Sequence, residues 1–314
     1  MERGRKKWSI YNENVVGYVF IFPWLAGFLC FTLVPFIMSF ILSFTNFNIL
    51  SPDTKFGLDN YVKLFTQDKL FLKSLFVTFK FAFISVPLRL IFALFVAMIL
   101  NRKSRAVPVY RVVYYLPSII GGSVAVSVMW RNLFTKSGVL NSILQAMGIN
   151  CKINWLGNTD TAIYVLILLY VWQFGSSMLI FLSGLKQIST SYYEAAEVDG
   201  AGKIRMFFSI TLPLLSPIIL FNLIMQIING FMVFTQAQII TGGGPVNETL
   251  VYILYLYQNS FKYYEMGYGS AMAWILLVIV GFFTAMVFRS SKQWVFYENN
   301  TDMASKKKKG VSRT

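Results

Sequence analysis

Six apolar stretches, each long enough to cross a lipid bilayer, dominate this sequence: 15–44, 75–100, 109–130, 161–185, 210–234 and 267–288. A helix needs roughly 20 mostly apolar residues to cross about 30 Å of hydrocarbon. Backbone N–H and C=O groups find no water there, so each stretch must satisfy them internally, as a helix does. The expected fold class is therefore all-α and integral to a membrane, with six spans. The first stretch follows the basic segment "MERGRKKWSIYNEN", as the core of a secretory signal would. Its apolar run is far longer than the roughly 7–15 residues of such a core, and it reads as a retained span. Pro23, Pro35, Pro87, Pro117, Pro213 and Pro217 lie within or beside the stretches, where kinks and loosened carbonyls are expected.

Charge supplies the orientation. Only 13% of the 314 residues are charged, against about 25% in soluble domains, and the net charge is +15. Eighteen Lys and Arg fall in 1–14, 101–111, 186–205 and 289–314, and eight fall in 45–74, 131–160 and 235–266. Acidic residues divide almost evenly, seven against six. Basic residues concentrate on the cytoplasmic side of membrane proteins, so both termini are expected in the cytoplasm. The basic excess thus has a topological cause and calls for no nucleic acid. The expected organisation is a cytoplasmic tail at 1–14, a six-span domain at 15–290 and a second tail at 291–314. The "KKKK" of the second tail reads as a topology signal or lipid head-group anchor.

The residue inventory excludes much chemistry. There is no histidine, which removes Ser-His-Asp and Cys-His catalysis and His-ligated metal sites. Cys30 lies in the first stretch and Cys151 in a polar loop, a pair ill placed for a disulfide and too few for a zinc site. No catalytic residue and no metal ligand is expected. A G-x-x-x-x-G-K-[ST] phosphate loop is also absent; the "GGG" at 242–244 has no lysine after it and reads as a flexible turn in an outer loop.

The remaining two basic residues, Lys80 and Arg89, fall within the second stretch. Lys80 lies near a span end, where it can snorkel. Arg89 is deeper; it reads as reaching the interface or packing against helix-end carbonyls, with a functional role as the other reading. No Asp or Glu lies in any stretch, which argues against a carrier driven by protons or cations. The polar residues there are neutral. Asn222, Gln226 and Asn229 share one helical face, and so do Tyr170, Gln173 and Ser177. Such stripes either line a shared cavity for a neutral, polyhydroxylated solute or hydrogen-bond helix to helix.

The polar break between the fourth and fifth stretches, "YYEAAEVDGAGKIRMFFSITLP" from Tyr192 to Pro213, has a different character. A short helix is expected, capped by Ser189, Thr190 or Ser191 and stopped at Gly200 or Gly202. It has acids near its first turns and a small face at Ala195 and Ala196, suited to a groove on another protein. "EAA", three residues, Gly200, nine residues and "ITLP" resembles, without gaps, the cytoplasmic loop of permease subunits in binding-protein-dependent ATP-binding cassette importers. "GLDNYVKLF" at 57–65 is similar to the first outer loop of carbohydrate-type permeases. "TGGGP" at 241–245 and "MGYGSAMAW" at 266–274 resemble the region before the last span of the type exemplified by the larger maltose permease subunit. That subunit's extra N-terminal helices and large insertion have no counterpart here.

The resemblance implies the MetI-like transmembrane fold of type I importers and a prokaryotic cell-membrane location. It implies a permease that moves a sugar or oligosaccharide by alternating access. A second homologous permease, an ATPase dimer that binds ATP and magnesium, and an external solute-binding protein would be its partners. This chain would bind no cofactor. In the loop at 186–209, Glu194, Ala195, Ala196 and Gly200 would form the coupling contact with the ATPase, and Ile210, Leu212 and Pro213 would start the next helix. Ser118, Gly122, Tyr170, Gln173, Ser177, Gln226 and Gly230 come near sugar-contacting positions, beside Asn222 and Asn229 from the stripe. A phosphorylated polyol such as glycerol 3-phosphate, with Arg89 as anion partner, is the alternative substrate. An ATPase-independent secondary carrier is the alternative class.

Overall fold

A computed structural model describes residues 13–51, 55–102, 105–149 and 153–296. The tail at 1–14 except its last two residues, most of the tail at 291–314 and Cys151 lie outside the described residues. Nearly everything described is helix; the only extended pairings among these residues are isolated bridges, Thr45 with Phe56 and Asn48 with Ser51. Among the described residues, four helices are long and apolar enough to cross a membrane: Val16–Ser43, Lys69–Leu100, Lys203–Ile240 and Met266–Trp294. Two bent pairs, Val107–Ile120 with Val124–Leu133 and Ala162–Trp172 with Gly175–Leu185, complete six spans when each pair is one span.

The chain forms two compact units. One comprises the chain up to Gln67 with Leu256–Leu276, and the other Asp68–Tyr255 with the residues from Leu277 onward. In the first unit, the first span passes through a π-turn at Leu29–Leu33, directly before Pro35. The wider turn accommodates a ring that cannot donate a backbone hydrogen bond. Asn60, from the "GLDNY" segment, caps this span: its amide donates to the carbonyls of Ser43 and Thr45 at 2.9 and 2.8 Å. Gly267, from "MGYGS", abuts the same carbonyl of Thr45 so closely that a Cβ would overlap it. Lys63 pairs with Glu265 at 2.8 Å and lies 4.3 Å over the Tyr268 ring. Two segments known from sequence only as resemblances thus serve to close a helix end.

In the second unit the span Lys69–Leu100 is the central post, about 48 Å long at 1.5 Å per residue. Asp68 caps it through Leu70 N–H and Phe71 N–H, at 2.9 and 3.0 Å. It begins at Lys69 rather than 75, because the cap, not the apolar run, sets the first turn. Its buried face, including Phe81, Ala93 and Ala97, packs against the fourth and fifth spans. The fifth span starts at Lys203, not 210; Ile210 lies in a π-turn at Phe207–Thr211, and Leu212 and Pro213 continue the helix rather than start it.

The third span is not one straight helix over 109–130. It bends by 97° between Ile120 and Val124, after Pro117 and at the Gly121–Gly122 pair. The fourth span bends by 41° between Trp172 and Gly175 with no proline near, which the proline pattern does not anticipate. Pro87, by contrast, sits inside an unbroken helix.

The connection after the fifth span also departs from expectation. "TGGGP" is not a flexible turn: the Thr249 hydroxyl, fully buried, bonds to Thr241 Oγ1 at 2.7 Å and to the Gly244 carbonyl at 2.6 Å. Gly242 and Gly243 adopt φ of +61° and +93°, which a side chain would resist. Beyond it, the Tyr252 amide donates to Thr78 Oγ1 at 2.7 Å, seating Leu250, Val251 and Tyr252 against the central post.

Candidate functional site

The neutral polar residues of the fourth and fifth spans meet each other directly. Tyr170 donates its hydroxyl to the backbone carbonyl and side-chain oxygen of Gln226, each at 3.1 Å. The Gln226 amide in turn donates to Ser177 Oγ at 3.1 Å. Asn222, one turn before Gln226, is fully buried, and neither its amide nitrogen nor its oxygen has a partner. The third residue of that stripe, Asn229, is exposed, so its face is covered only in part. Gly230 lets the fifth span approach the second; a Cβ there would lie 3.1 Å from Val86.

The two bent spans satisfy each other at their breaks. A helix that stops inside a membrane leaves its last carbonyls without partners, where no water can replace them. The Gln173 carbonyl, at the break of the fourth span, accepts from Ser118 Oγ at 2.9 Å. Ser118 accepts in turn from the Ser176 amide at 3.0 Å. Conversely, the Gln173 side chain donates at 3.1 Å to the carbonyl of Gly121, at the break of the third span. Each break therefore supplies the donor that the other lacks.

Glycines permit this approach. Gly122 faces open space, whereas a Cβ on its neighbour Gly121 would overlap Gln173 Cγ and the Pro117 carbonyl. A Cβ on Gly175 would meet the backbone of Tyr114 and Tyr115. Arg89 joins the same cluster, 7% exposed, with its guanidinium donating to the Gln173 carbonyl and lying 4.5 Å over the Tyr170 ring. Of the two readings of Arg89, this is packing against a helix-end carbonyl. The Lys80 ammonium lies 5.7 Å over the Tyr164 ring.

A second candidate feature is the helix Thr190–Val198, which buries none of its residues. Ser189 caps it, accepting from the Ser191 amide at 3.4 Å. Its end closes through Gly200, at φ +74°, with Ala201 N–H donating to the Ala196 carbonyl at 2.8 Å. Glu194 and Ala195 are exposed and Ala196 is half-buried. Tyr193 ties the helix to the base of the fifth span through Thr211, 2.9 Å between oxygens. A cavity of about 240 Å³, lined by Ala196, Asp199, Ala201, Arg205 and Ile210 among others, lies between the helix end and that base. Among the described residues no group of three or more His, Cys, Asp or Glu could hold a metal ion.

Comparison with known proteins identifies the class. The chain is 53% identical over 300 residues, 95% of its length and 97% of the relative's, to the probable ABC transporter permease protein YesP of Bacillus subtilis (strain 168). It is 33% identical over 276 residues, 86% of each chain, to the arabinooligosaccharides transport system permease protein AraP of the same organism. In fold it matches a chain from the crystal structure of a bacterial alginate ABC transporter in complex with an alginate pentasaccharide-bound periplasmic protein. The TM-score is 0.75 at 21% identity, covering 92% of this chain and 98% of that one. Residues 65–293 match the family model of the binding-protein-dependent transport system inner membrane component. The chain belongs to that family: it is a multi-pass membrane permease subunit of the ATP-binding cassette type, with the MetI-like fold and no catalytic role of its own.

Proposed function

We propose that this permease translocates a sugar or oligosaccharide into the cell by alternating access, driven by a separate ATPase. The observation that carries the substrate class is Asn222: a fully buried amide with neither polar atom partnered, one turn from the bonded Gln226 and Tyr170. A buried, unpaired amide costs about 1–3 kcal/mol, an expense that a transport path explains when solute hydroxyls pair with it in another state. No Asp, Glu or His lies in the membrane-crossing helices, and the Arg89 guanidinium beside the cluster is paired within the protein, which suits a solute that needs donors and acceptors rather than a counter-charge. The named substrate of one relative, an arabinooligosaccharide, has this chemistry.

The partners in this reading are a second homologous permease, an ATPase dimer that binds ATP and magnesium, and an extracellular or periplasmic solute-binding protein. Both termini and the Thr190–Val198 helix lie in the cytoplasm. Glu194, Ala195, Ala196 and Gly200 dock on the ATPase, whose closure on ATP draws the fifth span along through Tyr193 and Thr211. The phosphorylated-polyol alternative draws on the name of another relative, the sn-glycerol-3-phosphate transport system permease protein UgpA of Yersinia pestis bv. Antiqua (strain Antiqua), 33% identical over 245 residues, but its proposed anion partner, Arg89, already pairs with Gln173 and Tyr170. Family membership leaves the secondary-carrier alternative without support.

The test is uptake of labelled pentose and hexose oligosaccharides into proteoliposomes holding the complete transporter. ATP-dependent uptake of at least one sugar is expected, falling at least about tenfold in Asn222→Leu and Gln226→Leu, as the loss of one or two hydrogen bonds implies. Uptake that proceeds unchanged in both variants would remove these residues from the path. No ATP-dependent sugar uptake by the wild type would sink the substrate reading.

A further inference from the structure

We infer that Arg89 is a positioning residue for transport: it holds the fourth span bent at Gln173, and so sets the geometry of Tyr170, Gln173 and Ser177. The inference rests on the proposed sugar path through those residues.

Three observations converge on the bend. The guanidinium donates to the Gln173 carbonyl, the C-terminal end of the half-helix Ala162–Trp172. The same guanidinium lies over Tyr170, one turn before the break, and its Nη2 is 3.5 Å from Ser176 Oγ beyond it. One turn along the second span from Arg89, Phe92 packs edge-on against Phe174 with ring centroids 4.7 Å apart. Second-span side chains thus grip the fourth span before, at and after its bend.

The physics explains why arginine stands there. A buried cation in a membrane is expensive, and no carboxylate lies in any membrane-crossing helix to balance it. What balances it is the negative end of a helix dipole, the exposed carbonyl at the break, and the face of an aromatic ring. The carbonyl is available at this place only while the helix is broken. If the fourth span straightened, the Gln173 carbonyl would turn back into the helix ladder and the guanidinium would lose its acceptor. Arg89 therefore favours the bent form over the straight one. A planar guanidinium can stack on Tyr170 and donate to the carbonyl together; an ammonium supplies a point charge without the planar stack.

The bend matters because it lies between the path residues. Tyr170 precedes it, Gln173 is in it and Ser177 follows it, so the angle decides whether Tyr170 and Ser177 reach Gln226 together. Arg89 touches none of the proposed sugar-facing atoms except through Tyr170 and the Gln173 backbone. Its loss should blunt affinity and discrimination between sugars without removing a solute contact.

The experiment uses the complete transporter in lipid, in a background with Cys30→Ser and Cys151→Ser, with spin labels on Leu168→Cys and Ser183→Cys, positions exposed on either side of the bend. Distance distributions between the labels are compared for wild type, Arg89→Gln and Arg89→Lys. The sugar concentration giving half-maximal uptake is measured for the same variants, per assembled complex. The expected result is a longer label distance in Arg89→Gln, with the half-maximal concentration raised about tenfold or more. Arg89→Lys should fall between, and it carries the test if Arg89→Gln fails to assemble. An unchanged label distance in the assembled variants would overturn the inference, even if uptake fell, because Arg89 would then act other than through the bend. A changed distance with wild-type uptake and sugar preference would overturn it as well. The distance readout needs no sugar, so it separates failure here from failure of the substrate reading.

Discussion

At the scale of single residues, neighbouring glycines and amides separate packing from function. Gly175 touches the backbone of the third span, which cannot yield as a side chain can. Gly175→Ala is expected to lower stability by about 1–3 kcal/mol, read as an earlier thermal unfolding transition in detergent. Gly122→Ala, which faces open space, should leave that transition where it is. Asn222 predicts the opposite combination. Replacing its unpaired amide by Leu removes a desolvation cost, so Asn222→Leu should unfold at the same or a higher temperature while uptake falls. A drop in both would make Asn222 an ordinary packing residue. The sequence showed that these positions were polar or small. It could not distinguish Gly121 from Gly122, because only the approach of Gln173 from another span makes one of them indispensable.

At the scale of elements, the exposed helix Thr190–Val198 is built to be held at its ends and free along its side. Ser189 and Gly200 close it, and Tyr193 fastens it to the fifth span. An alanine forced to the left-handed conformation of Gly200 costs about 1–2 kcal/mol. Since the helix buries nothing in this chain, Gly200→Ala should leave the unfolding temperature unchanged and reduce the sugar moved per ATP hydrolysed. Cross-linking from Ala195→Cys to a cysteine in the groove of the partner ATPase, in membranes with and without ATP, checks the docking. A nucleotide-sensitive product is expected, and its absence from co-assembled proteins would detach this helix from the ATPase. The helix and its caps were readable in the sequence because capping is local. The bend of the fourth span was not, because what stabilises it comes from the second and third spans, Arg89 and Ser118.

At the scale of the whole molecule, the distribution of Lys and Arg predicts the orientation. In a background with Cys30→Ser and Cys151→Ser, a membrane-impermeant maleimide should reach Ala195→Cys only from the cytoplasmic side. It should reach Val246→Cys, 74% exposed in the connection after the fifth span, only from the other side. Labelling of both from the same face would invalidate the assignment of termini to the cytoplasm. Many large apolar side chains of the first span are bare, among them Phe20, Phe22, Trp24 and Phe31. Exposure on this scale suits lipid and neighbouring subunits rather than water.

From the sequence alone followed the membrane class, the six apolar spans and the motif-bearing helix between the fourth and fifth. Those features depend on composition over one segment and on contacts within a few residues, which the chain states directly. Tertiary structure alone decided that two spans break and satisfy each other's carbonyls. It also decided that "TGGGP" is pinned by Thr249, that Asn222 stands unpaired while Gln226 does not, and that Arg89 meets the Gln173 carbonyl at a bend. Each of these joins groups far apart in the chain, and their pairing exists only once the helices are packed.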